Sequence, residues 1–220
     1  MRNNRLFIYC AGGLGRDVLR LARRIQQESD FWTEIRFIDD RSVGVTVCDA
    51  EVWSFEQYLE RRRADDEFVI ATGETVFRKT LYEKLMAYDC KFTTIIHPSV
   101  YLDKYDFLGE GCVLTEGTVL GGYASFGKCT YVNLGCILGH NVSLGDFVTV
   151  SPGAIISGNV SVGDGTYIGT GAIIRDEVKI GKNCIIGMGS VVTKDIPDGV
   201  VAYGSPCCVV RENKDGIVFR

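Results

Sequence analysis

The segment "NLGCILGHNVSLGDFVTVSPGAIISGNVSVG", residues 133–163, contains the pattern that identifies the fold. Within it an aliphatic side chain returns at every sixth position, and the side chain four residues after each aliphatic is small or β-branched. The same phase continues without insertion through sixteen hexads, whose first positions are Leu102, Leu108, Leu114, Leu120, Phe126, Val132, Leu138, Leu144, Val150, Ile156, Val162, Ile168, Ile174, Ile180, Ile186 and Val192. Helices repeat about every 3.6 residues and strands about every 2, so neither explains a period of six. A hexapeptide repeat is the signature of a β-helix solenoid.

Composition limits the classes of protein that this chain can be. It has 220 residues, 46% of them hydrophobic, and a net charge of −4, which argues against a nucleic-acid partner. The opening apolar run "RLFIYC" is too short for a signal peptide or a membrane span. The nine cysteines are scattered without a C-x-x-C pair, which disfavours a disulfide framework and a structural zinc site. We expect a cytoplasmic protein with no membrane insertion and no metal.

The first part of the chain alternates strand and helix patterns. "RLFIYC", "EIRFIDD" and "EFVIATG" are apolar strands, whereas "RDVLRLARRIQQ" and "ETVFRKTLYEKLMAY" are amphipathic helices. Ser54 and Gln57 form a capping box that begins another helix. Strands alternating with helices predict a small parallel sheet with crossover helices. We therefore predict a Rossmann-like α/β domain over residues 1–97, followed by the hexapeptide β-helix over residues 98–220.

One of the two histidines, His140, lies inside the repeat at the third position of its hexad. The first and fifth positions face inward, so His140 is expected to point outward near a corner. The residues three hexads before and after it are Gly122 and Gly158, which leave space around the imidazole. Asn133 lies on the adjoining hexad, within expected reach. An exposed imidazole titrates near neutrality, which favours a role in proton transfer over an idle surface histidine.

A glycine-rich loop, "CAGGLGRDV", follows the first strand and opens a helix. Backbone N–H groups at such a helix start can hold a phosphate. The dinucleotide fingerprint G-x-G-x-x-G would start at Gly13, but its third glycine is replaced by Val18. An NAD-dependent oxidoreductase is therefore poorly supported.

The chain resembles a known family. The repeats resemble the hexapeptide acyltransferases, whose hexads wind a left-handed parallel β-helix with three hexads per coil. Together with "IYCAGGLGRDV", "FIDD", "IATGETVFRKTLYEKL", "IIHPSV" and the closing "VVTKDIPDGVVAYGSP", they resemble the NeuD/PglD-like family of sialic acid O-acetyltransferases and nucleotide-amino-sugar N-acetyltransferases. The resemblance spans nearly the whole chain. It implies acetyl transfer from acetyl-CoA in a homotrimer whose active sites lie at subunit interfaces.

The resemblance also implies roles for residues of the β-helix. His140 is the expected general base, and Asn133 would orient its ring or touch the acceptor. Asn141 stands where relatives often have an acidic residue, so it can orient the ring only by hydrogen bonding. The backbone N–H of Gly158 would stabilise the oxyanion of the tetrahedral intermediate. The residues expected to bind acetyl-CoA are Gly158, Thr149 (where relatives carry a second histidine), Ser151, Lys194, Gly204 and Pro206.

In the resembled family the glycine-rich loop holds the diphosphate of a nucleotide sugar. By that resemblance the candidates for substrate binding are Gly13, Asp39, Asp40 and Gly73. Asp39 and Asp40 have an equal alternative, which is simply to end a strand in a turn. Arg78 could meet a phosphate, and a surface salt bridge is the alternative role for it.

Three functions remain open at this stage. The first is an acetyl-CoA-dependent N-acetyltransferase acting on a nucleotide-linked 4-amino-4,6-dideoxy sugar for bacterial surface glycan. The second is O-acetylation of sialic acid or a related sugar. The third is a non-catalytic solenoid scaffold, against which the outward histidine flanked by glycines argues.

Overall fold

The computed structural model describes residues 4–28 and 31–218. Its first part is a six-stranded sheet with strand order β3-β4-β2-β1-β5-β6, in which every neighbouring pair is parallel except β3 and β4. The strands are β1 (Arg5–Tyr9), β2 (Glu34–Ile38), β3 (Thr46–Val47), β4 (Ala50–Trp53), β5 (Glu67–Ile70) and β6 (Lys91–Phe92), and the helices are α1 (Gly13–Glu28), α2 (Phe55–Arg61) and α3 (Thr75–Met86). The predicted Rossmann-like α/β domain is confirmed.

Local signals account for most of these elements. Val18, Leu21 and Ala22 form the buried face of α1. The capping box that begins α2 is present, since Ser54 Oγ accepts from Gln57 N–H at 3.0 Å and Gln57 Oε1 accepts from Ser54 N–H at 3.1 Å. The β3–β4 hairpin was not predicted, because its turn residues Cys48 and Asp49 adopt positive φ without the Asn-Gly signal of such turns.

The second part of the chain is a three-sided prism of stacked two-residue strands. Ile137 pairs in parallel with Val119 below it and with Ile155 above it, so each coil consists of three hexads. The second residue of each strand faces inward and forms the core, as the hexad phase predicts. Cys112, Cys136 and Cys184 are completely buried, which confirms their role as small core residues.

The prism has three faces. The docked face, which contacts the first domain, contains β7 (Ile95–Ile96), β9 (Val113–Leu114), β12 (Tyr131–Val132), β15 (Thr149–Val150), β18 (Tyr167–Ile168), β21 (Ile185–Ile186), β23 (Val200–Gly204) and β24 (Cys207–Glu212). The polar face contains β8 (Phe107–Leu108), β11 (Ser125–Phe126), β14 (Ser143–Leu144), β17 (Ser161–Val162) and β20 (Lys179–Ile180). The apolar face contains β10 (Val119–Leu120), β13 (Ile137–Leu138), β16 (Ile155–Ile156), β19 (Ile173–Ile174) and β22 (Val191–Val192).

The two domains share buried surface. Val113 and Tyr131 on the docked face pack into the apolar cluster under α1, and Phe147 packs into the cluster that contains residues of α3. The chain crosses from β6 to the prism between Phe92 and Ile95, a few residues before the expected boundary at residue 97. Among the described residues, no helix has the length and apolarity required to cross a membrane.

Candidate active site

His140 lies exposed in the corner between the apolar and polar faces, where the hexad phase predicts it. We call this corner the histidine corner; its column of equivalent residues is Gly122, His140, Gly158 and Asp176, and Lys194 follows in a corner that is two residues shorter. A Cβ atom on Gly158 would lie 2.7 Å from both Cε1 and Nε2 of His140, so the imidazole rests directly against this glycine. A Cβ on Gly122 would meet nothing within 4 Å. The ring is therefore supported from one side and open on the other.

Two amide side chains adjoin the imidazole. Asn141 Nδ2 lies 3.2 Å from His140 Nδ1 and donates to Asn159 Oδ1 at 3.0 Å. With the amide in this orientation Nδ1 is the acceptor, so the neutral ring carries its proton on Nε2 and Nε2 cannot accept another. If both amides flip, so that their oxygen and nitrogen atoms exchange places, Nδ1–H donates to Asn141 Oδ1 and Nε2 becomes a base. Asn159 was not among the predicted site residues, although its position one coil after Asn141 indicates the contact.

The predicted oxyanion donor is already engaged. The Gly158 N–H donates to Asp176 Oδ1 at 2.9 Å, so the expected role of Gly158 as a free oxyanion donor is not supported in this arrangement. The same contact recurs at the corner between the polar and docked faces, where Asp146 and Asp164 accept from backbone N–H groups one coil below. The spacing of one coil between Gly158 and Asp176 would have revealed this contact.

Asn133 does not lie beside His140 in one chain, contrary to expectation. It is in the corner between the docked and apolar faces, and β13 separates the two residues by a whole side of the prism, roughly 15–20 Å. Asn133 Oδ1 accepts from the Leu134 N–H at 2.8 Å. We call this second corner the asparagine corner. Both corners border the apolar face.

A cleft of about 320 Å³ lies between α1 and the asparagine corner. It is lined by Asp17, Arg20, Leu21, Arg24, His97, Thr115, Glu116, Asn133 and Leu134. Asp17 and Glu116 bring carboxylates to it, while Arg20 and Arg24 bring guanidinium groups. Arg20 Nη2 lies 3.8 Å from Glu116 Oε2, so two of these groups form an exposed ion pair at the cleft. Apart from Asn133, these lining residues were not predicted from the sequence, because their proximity depends on how α1 docks against the prism.

The glycine-rich loop is exposed at Gly12 and Gly13, next to the start of α1. A Cβ at Gly15 would lie 2.1 Å from the Cys10 carbonyl oxygen, so this position requires glycine. Asp39 is nearly buried and accepts from the Ala11 N–H at 3.0 Å, which holds the loop against β2.

Asp40 is more exposed than Asp39 and has three donors around it. It accepts from the Phe55 N–H, the Tyr9 hydroxyl and Lys84 Nζ. Burial alone would raise the pKa of Asp40, but these donors outweigh burial and hold the pKa below its usual value. The turn-ending role is therefore present for both aspartates, and nucleoside binding stays a prediction.

Arg78 corrects an expectation. It is 1% exposed, so it makes neither a phosphate contact nor a surface salt bridge. Its guanidinium donates to the carbonyl oxygens of Thr72, Cys129, Phe147 and Val148 and to the hydroxyl of Thr149. Burial lowers the pKa of Arg78 to about 10. Arg78 therefore joins α3 to the docked face instead of binding substrate.

The same arrangement excludes Thr149 from the expected coenzyme site. Its hydroxyl donates to the Gly73 carbonyl at 3.1 Å, and its side chain is buried between the domains. The carbonyl of Gly73 is correspondingly used in domain docking. Thr149 thus makes an interdomain hydrogen bond at the position where the resemblance implies a second histidine.

The other predicted coenzyme residues divide between the two corners. Ser151 and Gly204 lie on the docked-face side of the asparagine corner, with Pro206 in the turn after β23. Lys194 is exposed on the histidine corner, three coils and about 14 Å from His140. No single chain brings all of these residues together. Among residues 4–28 and 31–218, no group of three His, Cys, Asp or Glu side chains is arranged to hold a metal.

The fold and the exposed His140 are typical of a hexapeptide-repeat acyltransferase with an attached Rossmann-like domain. Comparison with known proteins indicates the same class of protein. The family model described as "PglD N-terminal domain" matches residues 5–85, and the one described as "Bacterial transferase hexapeptide (six repeats)" matches residues 159–194. A search of curated protein sequences found no significant match.

Solved structures match over almost the whole chain. The acetyltransferase domain of PglB from Neisseria gonorrhoeae FA1090, in complex with acetyl coenzyme A, is 29% identical with a TM-score of 0.88, covering 94% of this chain and 100% of that one. WeeI from Acinetobacter baumannii AYE is 31% identical, with the same TM-score of 0.88 and the same 94% and 100% coverage. PerB from Caulobacter crescentus, solved with CoA and GDP-perosamine, is 26% identical with a TM-score of 0.84, covering 93% and 96%.

The chain belongs to the NeuD/PglD-like family of acetyl-CoA-dependent sugar N-acetyltransferases. The left-handed β-helix implied by the resemblance is confirmed by these matches.

Proposed function

We propose that this enzyme acetylates the amino group of a nucleotide-linked 4-amino-4,6-dideoxy sugar for bacterial surface glycan, with His140 as the general base. The observation that carries the proposal is the His140 imidazole, exposed at a corner, seated on Gly158 and hydrogen-bonded through Nδ1 to Asn141. The complexes of relatives with acetyl-CoA and with CoA and GDP-perosamine support a thioester donor and a nucleotide amino sugar acceptor. The nine free cysteines of the chain suit a reducing cytoplasm.

In this mechanism the neutral amine attacks the thioester carbonyl carbon. A C–N bond forms, the C–S bond breaks, and the proton on nitrogen passes to His140 Nε2 and then to the departing CoA thiolate. Nε2 must be unprotonated at the start, so Asn141 presents its Oδ1 to Nδ1–H in the reactive state. A positioned base of this kind contributes about 10²–10⁴ in rate. Gly158 can assist the oxyanion only when Asp176 releases its N–H.

The exposed side chains of the apolar face favour assembly into a homotrimer. Its outward side chains Val119, Ile137, Ile155 and Ile173 are between 37% and 56% exposed, a continuous stripe of β-branched residues. The equivalent positions on the polar face are Ser125, Ser143, Ser161 and Lys179.

Packing three prisms along their apolar faces brings the histidine corner of one protomer against the asparagine corner of the next. His140 would then face the cleft that contains Asn133 and Asp17. Gly158 and Lys194 of one protomer would likewise meet Ser151 and Gly204 of its neighbour, which completes the coenzyme site.

Acetyl transfer from acetyl-CoA, followed by release of free thiol, tests the proposal on UDP-, dTDP- and GDP-linked 4-amino sugars. We expect turnover of one amino sugar that is lost in His140→Ala. Transfer to sialic acid hydroxyls instead would establish the O-acetyltransferase, and no transfer to any acceptor would favour the scaffold.

Assembly is tested separately by Ile155→Glu on the apolar face, with Ser161→Glu on the polar face as the matched control. We expect Ile155→Glu alone to dissociate the trimer in light scattering and to abolish turnover. A monomeric wild-type protein with full activity would contradict the shared site.

A further inference from the structure

Two exposed tyrosines lie on the histidine corner, in the coils that precede His140. Tyr105 and Tyr123 are 54% and 59% exposed, and their rings stack with centroids 4.9 Å apart and planes 13° apart. Lys104 Nζ lies 4.8 Å from the Tyr105 centroid. We call this pair the aromatic ledge. Nothing in the proton transfer or in the domain docking uses it.

The ledge adjoins the base directly. Tyr123 is one coil below Asn141 in the same column, and the Asn141 N–H donates to the Gly122 carbonyl at 3.0 Å. One coil corresponds to about 4.8 Å. Because Gly122 has no side chain and a Cβ there would meet nothing within 4 Å, open space lies beside the ledge and below the imidazole.

The backbone at Tyr123 shows that an aromatic ring is an unfavourable choice for folding at this position. Its φ is +56°, in the left-handed region, and the next two coils place asparagines there, Asn141 at +58° and Asn159 at +57°. Asparagine tolerates this conformation, whereas a bulky residue is strained in it. A strained, solvent-exposed aromatic beside a catalytic base indicates a functional requirement.

We infer that the aromatic ledge is the subsite for the sugar ring of the acceptor. A deoxy amino sugar carries an apolar C–H face and, before deprotonation, an ammonium group, and both are attracted to the face of a tyrosine ring. The donor side of His140 is the opposite one, where Gly158, Asp176 and Lys194 continue the column. The ledge side is therefore left for the acceptor. This inference rests on the proposed amino-sugar acetyltransferase.

The decisive variant is Tyr123→Asn, which installs the residue that the following coils use. We expect the KM for the amino sugar to rise about tenfold, the KM for acetyl-CoA to stay within about twofold, and the melting temperature to stay the same or rise. Tyr123→Phe, the matched control, keeps the ring and is expected to behave like the wild type. An unchanged acceptor KM in Tyr123→Asn, or a lower melting temperature with loss of the trimer, would show that the ledge serves packing instead.

A binding readout separates failure of the ledge from failure of the proposed function. The probe is the methyl glycoside of 4-amino-4,6-dideoxyglucose, titrated against the full-length enzyme while tyrosine ring resonances are followed by NMR. We expect shifts at Tyr105 and Tyr123, and we expect Tyr105→Ala to reduce the shift at Tyr123. Shifts without acetyl transfer would keep the subsite and overturn the proposed reaction. Acetyl transfer without shifts would overturn the subsite alone, and the absence of both would overturn both.

Discussion

Gly158→Ala tests the geometry of His140, the proposed general base, with one added methyl group. Gly158 has no positive φ, so its backbone conformation is also open to alanine. The hydrogen bond from its N–H to Asp176 is retained in the variant. The new Cβ would lie 2.7 Å from His140 Cε1 and Nε2 and 3.2 Å from Cδ2. Ordinary contacts between such atoms are about 3.5–4.0 Å, so the ring must move by about 1 Å.

The expected consequence is a large loss of rate with little loss of stability. His140 is exposed, so its ring moves outward at low energetic cost, and we expect the free energy of unfolding to change by less than about 1 kcal/mol. A misplacement of about 1 Å at a reacting group can cost about 100-fold. We therefore expect kcat to fall about 100-fold, measured by thiol release at saturating acetyl-CoA, with an unchanged melting temperature.

A double-mutant cycle identifies the cause. If the methyl group acts only through the imidazole, Gly158→Ala will reduce the residual rate of His140→Ala no further. A further loss in that background would mean that the methyl group obstructs the thioester. A folded Gly158→Ala enzyme with kcat within about threefold of wild type would contradict the close contact between the His140 ring and Gly158.

Three other predictions follow from the same contacts. Asn141→Asp should raise kcat about tenfold or more, because a carboxylate accepts from His140 Nδ1–H and keeps Nε2 basic; an unchanged kcat would show that the amide suffices. Arg78→Ala should lower the free energy of unfolding in urea by about 3 kcal/mol, since buried carbonyls lose their donor, and a loss below about 1 kcal/mol would contradict this role. Asp40→Asn should reduce the fall in melting temperature that the wild-type protein shows as the pH is lowered. The pKa of Asp40 is lowered on folding, so its contribution with Lys84 is present above the unfolded pKa and lost as pH falls through the folded one. Parallel wild-type and variant curves between about pH 6 and 3 would refute this.

The repeat made much of the β-helix predictable. Each hexad contacts the equivalent hexads of the coils below and above it, so a position in the sequence corresponds to a position on the prism. The inward columns, the exposure of His140 and the bare glycines around it all follow from that correspondence. Asn159 and Asp176 could also have been found in this way, because each lies one coil after a predicted site residue.

Residues on the docked face were not predictable by the same means. Arg78 looked like a surface cation on an amphipathic helix, yet it is buried with donors directed at carbonyls of the prism. Thr149 followed the hexad rule for an outward side chain, and the outward direction on that face leads into the first domain. The hexad phase gives no indication of which of the three faces the first domain covers.

The coil, its register and its outward side chains all follow from the hexad repeat, because they depend on contacts between hexads at a constant spacing. The tertiary structure was needed to show which face of the prism the first domain covers, that α1 closes a cleft beside Asn133, and that Arg78 and Thr149 are buried between the domains. These features depend on the docking of one domain against the other, which brings together residues that are distant in the sequence. None of these is encoded by a period of six.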